Sequence, residues 1–203
     1  MKKKKIQVRS SVTENTNGFR KENSKHIPLV FNCFSKEQIK EINIKIHNEF
    51  LTEEENPSNA AASVNKKGKF YHVPLLPMVE LLHRWIWNCQ RINQEVFGYD
   101  IYWNFHFDKM NYNIYGVGDE YGWHTDEYNF KASDMKLTCL LNLSEEPYEG
   151  GEFHTVSLGK KSKVKFEPGM GMVCPSVLAH RTTPVTKGKR TTLTYWALGP
   201  AWK

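Results

Sequence analysis

After Gly98 the apolar residues of this chain stop recurring at helical spacing and begin to alternate. Ile101, Trp103, Phe105 and Phe107 interleave with Tyr102, Asn104, His106 and Asp108. A period of two places successive side chains on opposite faces of a strand. Short candidate strands then recur over 110–115, 122–126, 136–143, 151–155, 163–167, 171–174, 179–185 and 190–198. Turns of the kinds Gly-Val-Gly-Asp, Pro-Tyr-Glu-Gly-Gly and Glu-Pro-Gly-Met-Gly separate them. Such a run of short strands restricts the second half of the chain to a sandwich, barrel or jelly roll.

The first half reads as helical support. Residues 28–32 suggest a short strand. Ser35 and Gln38 form a capping box, in which each side chain satisfies an otherwise orphaned backbone N–H. Ile39, Ile42, Ile46 and Phe50 then fall on one helical face. Residues 52–69 read as a polar loop. Pro77 suits the first turn of a second helix, which carries a stripe of Val79, Leu82, Ile86 and Cys89 and stops at Gly98. The expected fold is mainly β with N-terminal helices (α+β), the helices packing on one sheet.

A length of 203 residues sets a prior of one domain. The net charge of +6 is confined to residues 1–25, where eight basic side chains meet two acidic ones; the remainder is formally neutral. Residues 1–26 are expected to be a basic, mobile tail. Residues 27–203 are expected to be a single domain, with helical support over 27–99 and the β core over 100–203. A neutral body argues against a domain that tracks nucleic-acid phosphates. No apolar run is long enough to span a membrane, and the Lys-rich start lacks the apolar stretch of a secretory signal. Cys33, Cys89, Cys139 and Cys174 form no C-x-x-C pair and sit among apolar neighbours. They read as buried thiols of a cytoplasmic protein.

The segment with chemical content is Tyr121-Gly-Trp-His-Thr-Asp126. On a strand, His124 and Asp126 would share a face and present an imidazole beside a carboxylate. A third ligand from a distant strand would complete the two-His, one-carboxylate arrangement that suits non-haem Fe(II). His180 leads, with Arg190 ten residues beyond it and Thr192 on the same strand face as Arg190. A guanidinium and a hydroxyl side by side can hold a carboxylate. His154, after the Gly150-Gly151 pair, is a rival third ligand. His106 and Asp108 form a second His-x-Asp without a matching arginine.

The order of Tyr115-Gly-Val-Gly-Asp-Glu-Tyr-Gly-Trp-His-Thr-Asp126, Leu140-Leu-Asn-Leu143, Tyr148-Glu-Gly-Gly-Glu152, Glu167-Pro-Gly169, and His180 through Arg190 to Trp196 resembles the Fe(II)/2-oxoglutarate-dependent oxygenases, in their prolyl 4-hydroxylase-like branch. The resemblance covers roughly residues 100–200. It implies a double-stranded β-helix (jelly roll) core flanked by two or more helices. It also implies Fe(II) on His124, Asp126 and His180, and 2-oxoglutarate held at Arg190 with help from Thr192, Tyr115 and Asn142, with Trp196 beside the iron pocket. Many prolyl 4-hydroxylases carry lysine where Arg190 stands, which weakens any inference of collagen-type specificity.

The implied reaction is hydroxylation of a C–H bond with O2 as cosubstrate, succinate and CO2 as coproducts, and ascorbate as a reductant. A proline-containing protein or peptide is the expected partner, with no role for a membrane or nucleic acid. Tyr121, Trp123 and Glu127 are candidates to line the substrate groove. The alternative substrates are a free amino acid, a lysyl residue or a small metabolite. The alternative to an enzyme is an inactive jelly-roll binding module.

Overall fold

A computed structural model describes residues 26–51, 66–103, 108–126 and 133–202. Residues 1–25 of the expected 1–26 tail and the candidate groove residue Glu127 lie outside them.

Strand β1 (Leu29–Asn32) leads into helix α1 (Lys36–Glu49). The capping box forms as expected: the Ser35 hydroxyl accepts from Gln38 N at 3.4 Å, and Ser35 N donates to Gln38 Oε1 at 3.1 Å. Ile39, Ile42 and Ile46 are buried. Buried Asn43 ties the helix to the β core, donating to the Leu143 carbonyl at 2.9 Å and accepting from the Tyr112 hydroxyl at 3.0 Å. Pro77 sits in the middle of a single 3-10 turn (Leu76–Met78) ahead of helix α2 (Val79–Ile92). This helix buries Leu82, Trp85, Ile86, Cys89 and Ile92. Its Trp85 indole N–H donates to the Leu140 carbonyl at 3.1 Å. One π-helical turn (Asn93–Phe97) follows, and Gly98 closes it at φ 70°, in the left-handed region that glycine enters without cost.

The β core contains β2 (Lys69–Pro74), β3 (Lys109–Tyr115), β4 (Tyr121–His124), β5 (Ser133–Asn142), β6 (Glu149–Gly150), β7 (Phe153–Ser157), β8 (Lys160–Val164), β9 (Met170–Pro175), β10 (Ala179–Thr182), β11 (Val185–Lys187) and β12 (Arg190–Pro200). They form a six-stranded sheet in the order β1-β9-β5-β12-β3-β2, a four-stranded sheet β4-β10-β7-β8, and the small pair β11-β6. From β3 onward the chain repeatedly crosses between the two larger sheets, which is the predicted jelly roll. The helices cover one face of the larger sheet with the main apolar core. Val30, Leu140, Phe153, Val164, Phe166 and Met172 form a smaller cluster shared by strands of both sheets.

Three local readings need correction. The polar loop expected over 52–69 ends in β2, an edge strand paired with β3; only Phe70 and Val73 of β2 are buried, three residues apart, so no alternation announced it. Ile101 and Trp103, which head the alternating run, belong to no strand; Tyr102 N donates to the Leu198 carbonyl at 2.7 Å, and Asn104–Phe107 lie outside the described residues. The candidate strand over 179–185 splits into β10 and β11, because Pro184 has no N–H to continue the ladder and Thr183 N turns to the Glu152 carbonyl at 2.9 Å. All four cysteines are buried free thiols. No helix among the described residues is long and apolar enough to cross a membrane.

Candidate metal centre

His124 ends β4 and His180 lies in β10, and the two stand directly opposite in the antiparallel ladder. Their ring centroids are 4.2 Å apart. Asp126 is not on the strand, since β4 stops at His124. Two hydrogen bonds place it instead. Asp126 N donates to the Ser176 carbonyl at 2.9 Å, and the Thr138 hydroxyl of β5 donates to Asp126 Oδ2 at 2.7 Å. The carboxylate therefore spans the two sheets, with Oδ1 3.4 Å from His124 Nε2 and Oδ2 3.4 Å from His180 Nε2. The three residues form a cluster whose potential ligand atoms lie within 4.8 Å of one another.

The tautomers follow from the hydrogen bonds. His124 Nδ1 contacts the Gly122 carbonyl at 2.7 Å, and His180 Nδ1 contacts the Leu178 carbonyl at 2.8 Å. A carbonyl only accepts, so each Nδ1 carries the proton and each ring turns Nε2 toward Asp126. Burial lowers the His180 pKa, although Asp126 and the Leu178 carbonyl oppose it. Burial would raise the Asp126 carboxyl, yet the His124 contact, the two imidazoles and Thr138 together hold it down to about 2. The result is an ionised carboxylate facing two imidazole Nε2 atoms, at separations longer than the 2.7–2.9 Å of a charge-assisted hydrogen bond. Lone pairs aimed at one another need a cation between them. The donor set of two imidazoles and one carboxylate fits a divalent ion such as Fe(II).

The remaining walls come from both sheets. Arg190, Thr192, Thr194 and Trp196 alternate along β12 and line the same cavity as the cluster. Arg190 opposes Tyr115 in the ladder and lies 5.5 Å over its ring. Only 1% of Arg190 is exposed, and its Nε and Nη2 have no hydrogen-bond partner among the described residues. A buried guanidinium with unspent donors fits a carboxylate ligand. Burial raises the Tyr115 phenol, with Arg190 opposing, so it stays a neutral O–H donor. Gly151 takes φ 58°, and a Cβ there would lie 2.8 Å from Arg190 Cδ. The double glycine thus lets the backbone close over the arginine stem.

Tyr121 lines the cavity and stacks on His124, ring centroids 3.5 Å apart. Strict alternation would put residues 121 and 124 on opposite faces. An irregularity, with Thr182 opposite Tyr121 and His180 opposite His124, brings both inward. Trp123 stays on the outer face, 5.0 Å from the Arg181 guanidinium and 5.6 Å from Lys161 Nζ. Asn142 is not brought to the cavity. Its amide donates to the Tyr148 hydroxyl at 3.0 Å and the Phe166 carbonyl at 2.9 Å, and its oxygen accepts from Ser144 N at 3.1 Å. The rival His154 pairs with Glu152 at 2.9 Å and accepts from Arg181 at 3.3 Å, away from the cluster. Asp108 accepts from the Tyr195 hydroxyl at 2.6 Å, while His106 lies outside the described residues.

Sequence reasoning missed seven cavity residues, Asn113, Leu140 and Thr182 among them. Thr194 was readable from its parity with Arg190 and Thr192, whereas Thr138 and Phe153 carried no signal. Lys66 lay in the expected polar loop, but a β-bridge to Tyr121 brings it to the cavity. Burial lowers its ammonium to about 8, with Asp126 opposing. A wider groove of about 1140 Å³ between the start of α1 and residues 145–153 shares only Phe153 with this cavity.

Comparison with known proteins agrees with this geometry. The 2OG-Fe(II) oxygenase superfamily profile matches residues 110–198. A PKHD-type hydroxylase of Alteromonas mediterranea is 41% identical over 64 residues, which are 32% of this chain and 28% of that protein. The chain thus matches less than a third of that relative's length. A prolyl-4-hydroxylase of Pseudomonas putida shares the fold with a TM-score of 0.62 at 17% identity, over 88% of this chain and 95% of that one. A prolyl hydroxylase of Trichoplax adhaerens, solved with a peptide fragment of the hypoxia inducible factor oxygen degradation domain, gives 0.64 at 16% identity, over 87% and 85% of the two chains. The matched profile encloses the whole His124–Asp126–His180 cluster and Arg190: over residues 110–198 this chain is similar to the 2OG-Fe(II) oxygenase superfamily, and its jelly roll shares the fold of the solved prolyl hydroxylases.

Proposed function

We propose that this protein is an Fe(II)- and 2-oxoglutarate-dependent dioxygenase that hydroxylates a C–H bond of a prolyl residue in a protein or peptide. The observation that carries the reading is the pairing, in one cavity, of a three-ligand cluster with a buried arginine whose donors are unspent. Bound Fe(II) and 2-oxoglutarate supply the oxidation, in which O2 is consumed, the cosubstrate leaves as succinate and CO2, and one oxygen atom enters the substrate. Ascorbate serves as the outside reductant.

The chain's own residues bind, orient and exclude water. His124, Asp126 and His180 hold the metal, and the Gly122 and Leu178 carbonyls fix the imidazole tautomers. Arg190 pairs with the distal carboxylate of the cosubstrate, with Tyr115 and Thr192 beside it. Trp196 closes the metal side of the pocket, and its buried indole N–H has no partner among the described residues. Tyr121 faces the substrate over His124. Residues 27–203 act as one domain, and four buried thiols suit a reducing cytoplasm.

Thr138→Val is an isosteric test of how Asp126 is held. Losing the hydroxyl that bonds Oδ2 should weaken metal binding roughly 10–100-fold, as for other partners behind a ligand, with the fold intact. Anaerobic Fe(II) titration reads the affinity and circular dichroism the fold; unchanged affinity refutes the role of Thr138. The reaction itself is tested by anaerobic reconstitution with Fe(II) and 2-oxoglutarate, then admission of air with a panel of proline-containing peptides. Succinate release coupled to a gain of one oxygen atom on a peptide supports the reading. Absence of both metal and cosubstrate binding overturns it in favour of an inactive binding module.

A further inference from the structure

The cavity around His124, Asp126 and His180 holds more positive charge than the proposed reaction uses. Among the described residues its walls carry one carboxylate, Asp126, against two cations, Arg190 and Lys66. A divalent metal adds two positive charges and a dicarboxylate cosubstrate removes two. The loaded site therefore keeps one positive charge in excess. With Arg190 committed to the cosubstrate, the excess belongs to Lys66.

Lys66 is held in place by several contacts. Its bridge to Tyr121 and the bond from Lys67 N to the Glu120 carbonyl, 2.8 Å, fix the backbone. Its Nζ donates to Asn113 Oδ1 at 2.9 Å and lies 4.7 Å from the Phe70 ring and 5.2 Å from the Tyr121 ring. Asn113 is oriented in turn, its amide donating to the Asn111 carbonyl at 3.0 Å and the Thr194 hydroxyl at 3.1 Å. Aromatic faces attract an ammonium but offer it no lone pair, so further N–H donors remain. Among the described residues Lys66 makes no ion pair with a carboxylate. Through Tyr121, which stacks on His124, the ammonium stands one ring away from a metal ligand. A sheltered cation with no carboxylate in contact is costly and calls for an anionic partner.

We infer that Lys66 receives a carboxylate of the substrate, so that the enzyme selects a C–H bond lying next to a negative charge. The inference rests on the oxygenase reading above and narrows its substrate class. The carboxylate has two chemical sources: an acidic side chain beside the target residue of a peptide, or the α-carboxylate of a free or C-terminal proline. Both place an anion within a few bonds of the ring carbon. A peptide with neutral flanks leaves the charge unbalanced.

The test uses the full chain loaded with Mn(II) and 2-oxoglutarate under anaerobic conditions, titrated calorimetrically with two pairs of probes. One pair is a peptide containing Glu-Pro against its Gln-Pro counterpart, and the other is L-proline against L-prolinamide. The expected result is that the carboxylate member of one pair binds at least about tenfold tighter, identifying the source. Lys66→Met should abolish that preference, Lys66→Arg should keep most of it, and 2-oxoglutarate affinity of Lys66→Met should stay within about threefold of the parent. If Lys66→Met does not fold, Lys66→Gln carries the same comparison. A parent protein that binds 2-oxoglutarate but prefers neither carboxylate overturns the inference, as does a preference that survives Lys66→Met. A loss of 2-oxoglutarate affinity of about tenfold or more in Lys66→Met also overturns it, by making Lys66 a cosubstrate ligand. A parent protein that binds no 2-oxoglutarate at all overturns the oxygenase reading itself.

Discussion

Asp126→Ala should abolish Fe(II) binding and, with it, succinate formation. Asp126 is the only anionic member of the cluster, and it meets both imidazoles through different oxygens, each at 3.4 Å. Removing it leaves two neutral nitrogens, which hold a divalent ion weakly. The loss should exceed the roughly 10–100-fold expected for a partner one bond further from the metal. Without metal the variant should fold, because the Thr138 hydroxyl that loses its acceptor has a second contact, Ser176 Oγ at 3.3 Å. The decisive measurement is the thermal shift on adding Fe(II) anaerobically. A bound ion raises the midpoint by mass action, so the parent should shift and Asp126→Ala should not. An unchanged shift, or undiminished succinate, would remove Asp126 from the centre.

Arg190→Met should produce two opposite effects. The guanidinium is buried and two of its nitrogens lack partners, a burden on the protein before any carboxylate arrives. Methionine keeps the apolar stem beside Gly151 and Tyr115 without that burden. The ligand-free protein should therefore gain about 1–3 kcal/mol of stability, the usual cost of a buried unsatisfied group. Cosubstrate binding should fall by about 2–5 kcal/mol, the cost of truncating one partner of a buried, hydrogen-bonded charge pair. That is roughly a 30- to several-thousand-fold rise in Kd for 2-oxoglutarate. A denaturant titration reads the first effect and calorimetry in the presence of Mn(II) reads the second. A variant that is both less stable and normal in cosubstrate binding would show that Arg190 serves only the packing of the β core.

These expectations concern residues that were legible to different degrees. The capping box at Ser35, the isoleucine face of α1, the stop at Gly98 and most strands of the jelly roll follow from local rules of capping, periodicity and backbone freedom. Those rules act over a few residues, so sequence spacing is enough to read them. His124, Asp126, His180 and Arg190 were likewise nameable from residue type and spacing. Asn142 shows the limit of that reading. It stands at a plausible register on β5, but its amide and oxygen are taken by Tyr148, Phe166 and Ser144, partners that local spacing does not display.

What the amino-acid order determined alone was the two helices, most of the strands and the identity of the candidate metal-ligating and guanidinium side chains. Only the tertiary structure decided how they meet. His180 faces His124 because β10 pairs with β4 in one register. Asp126 turns inward because Thr138 and Ser176, from two other parts of the chain, hold it beyond the end of its strand. Tyr121 enters the cavity through a ladder irregularity, and Lys66 through a single bridge to a residue fifty-five positions away. The physical reason is common to all four: capping and periodicity are short-range, whereas register, bulges and hydrogen bonds between sheets are settled by whichever distant partner satisfies a buried polar group.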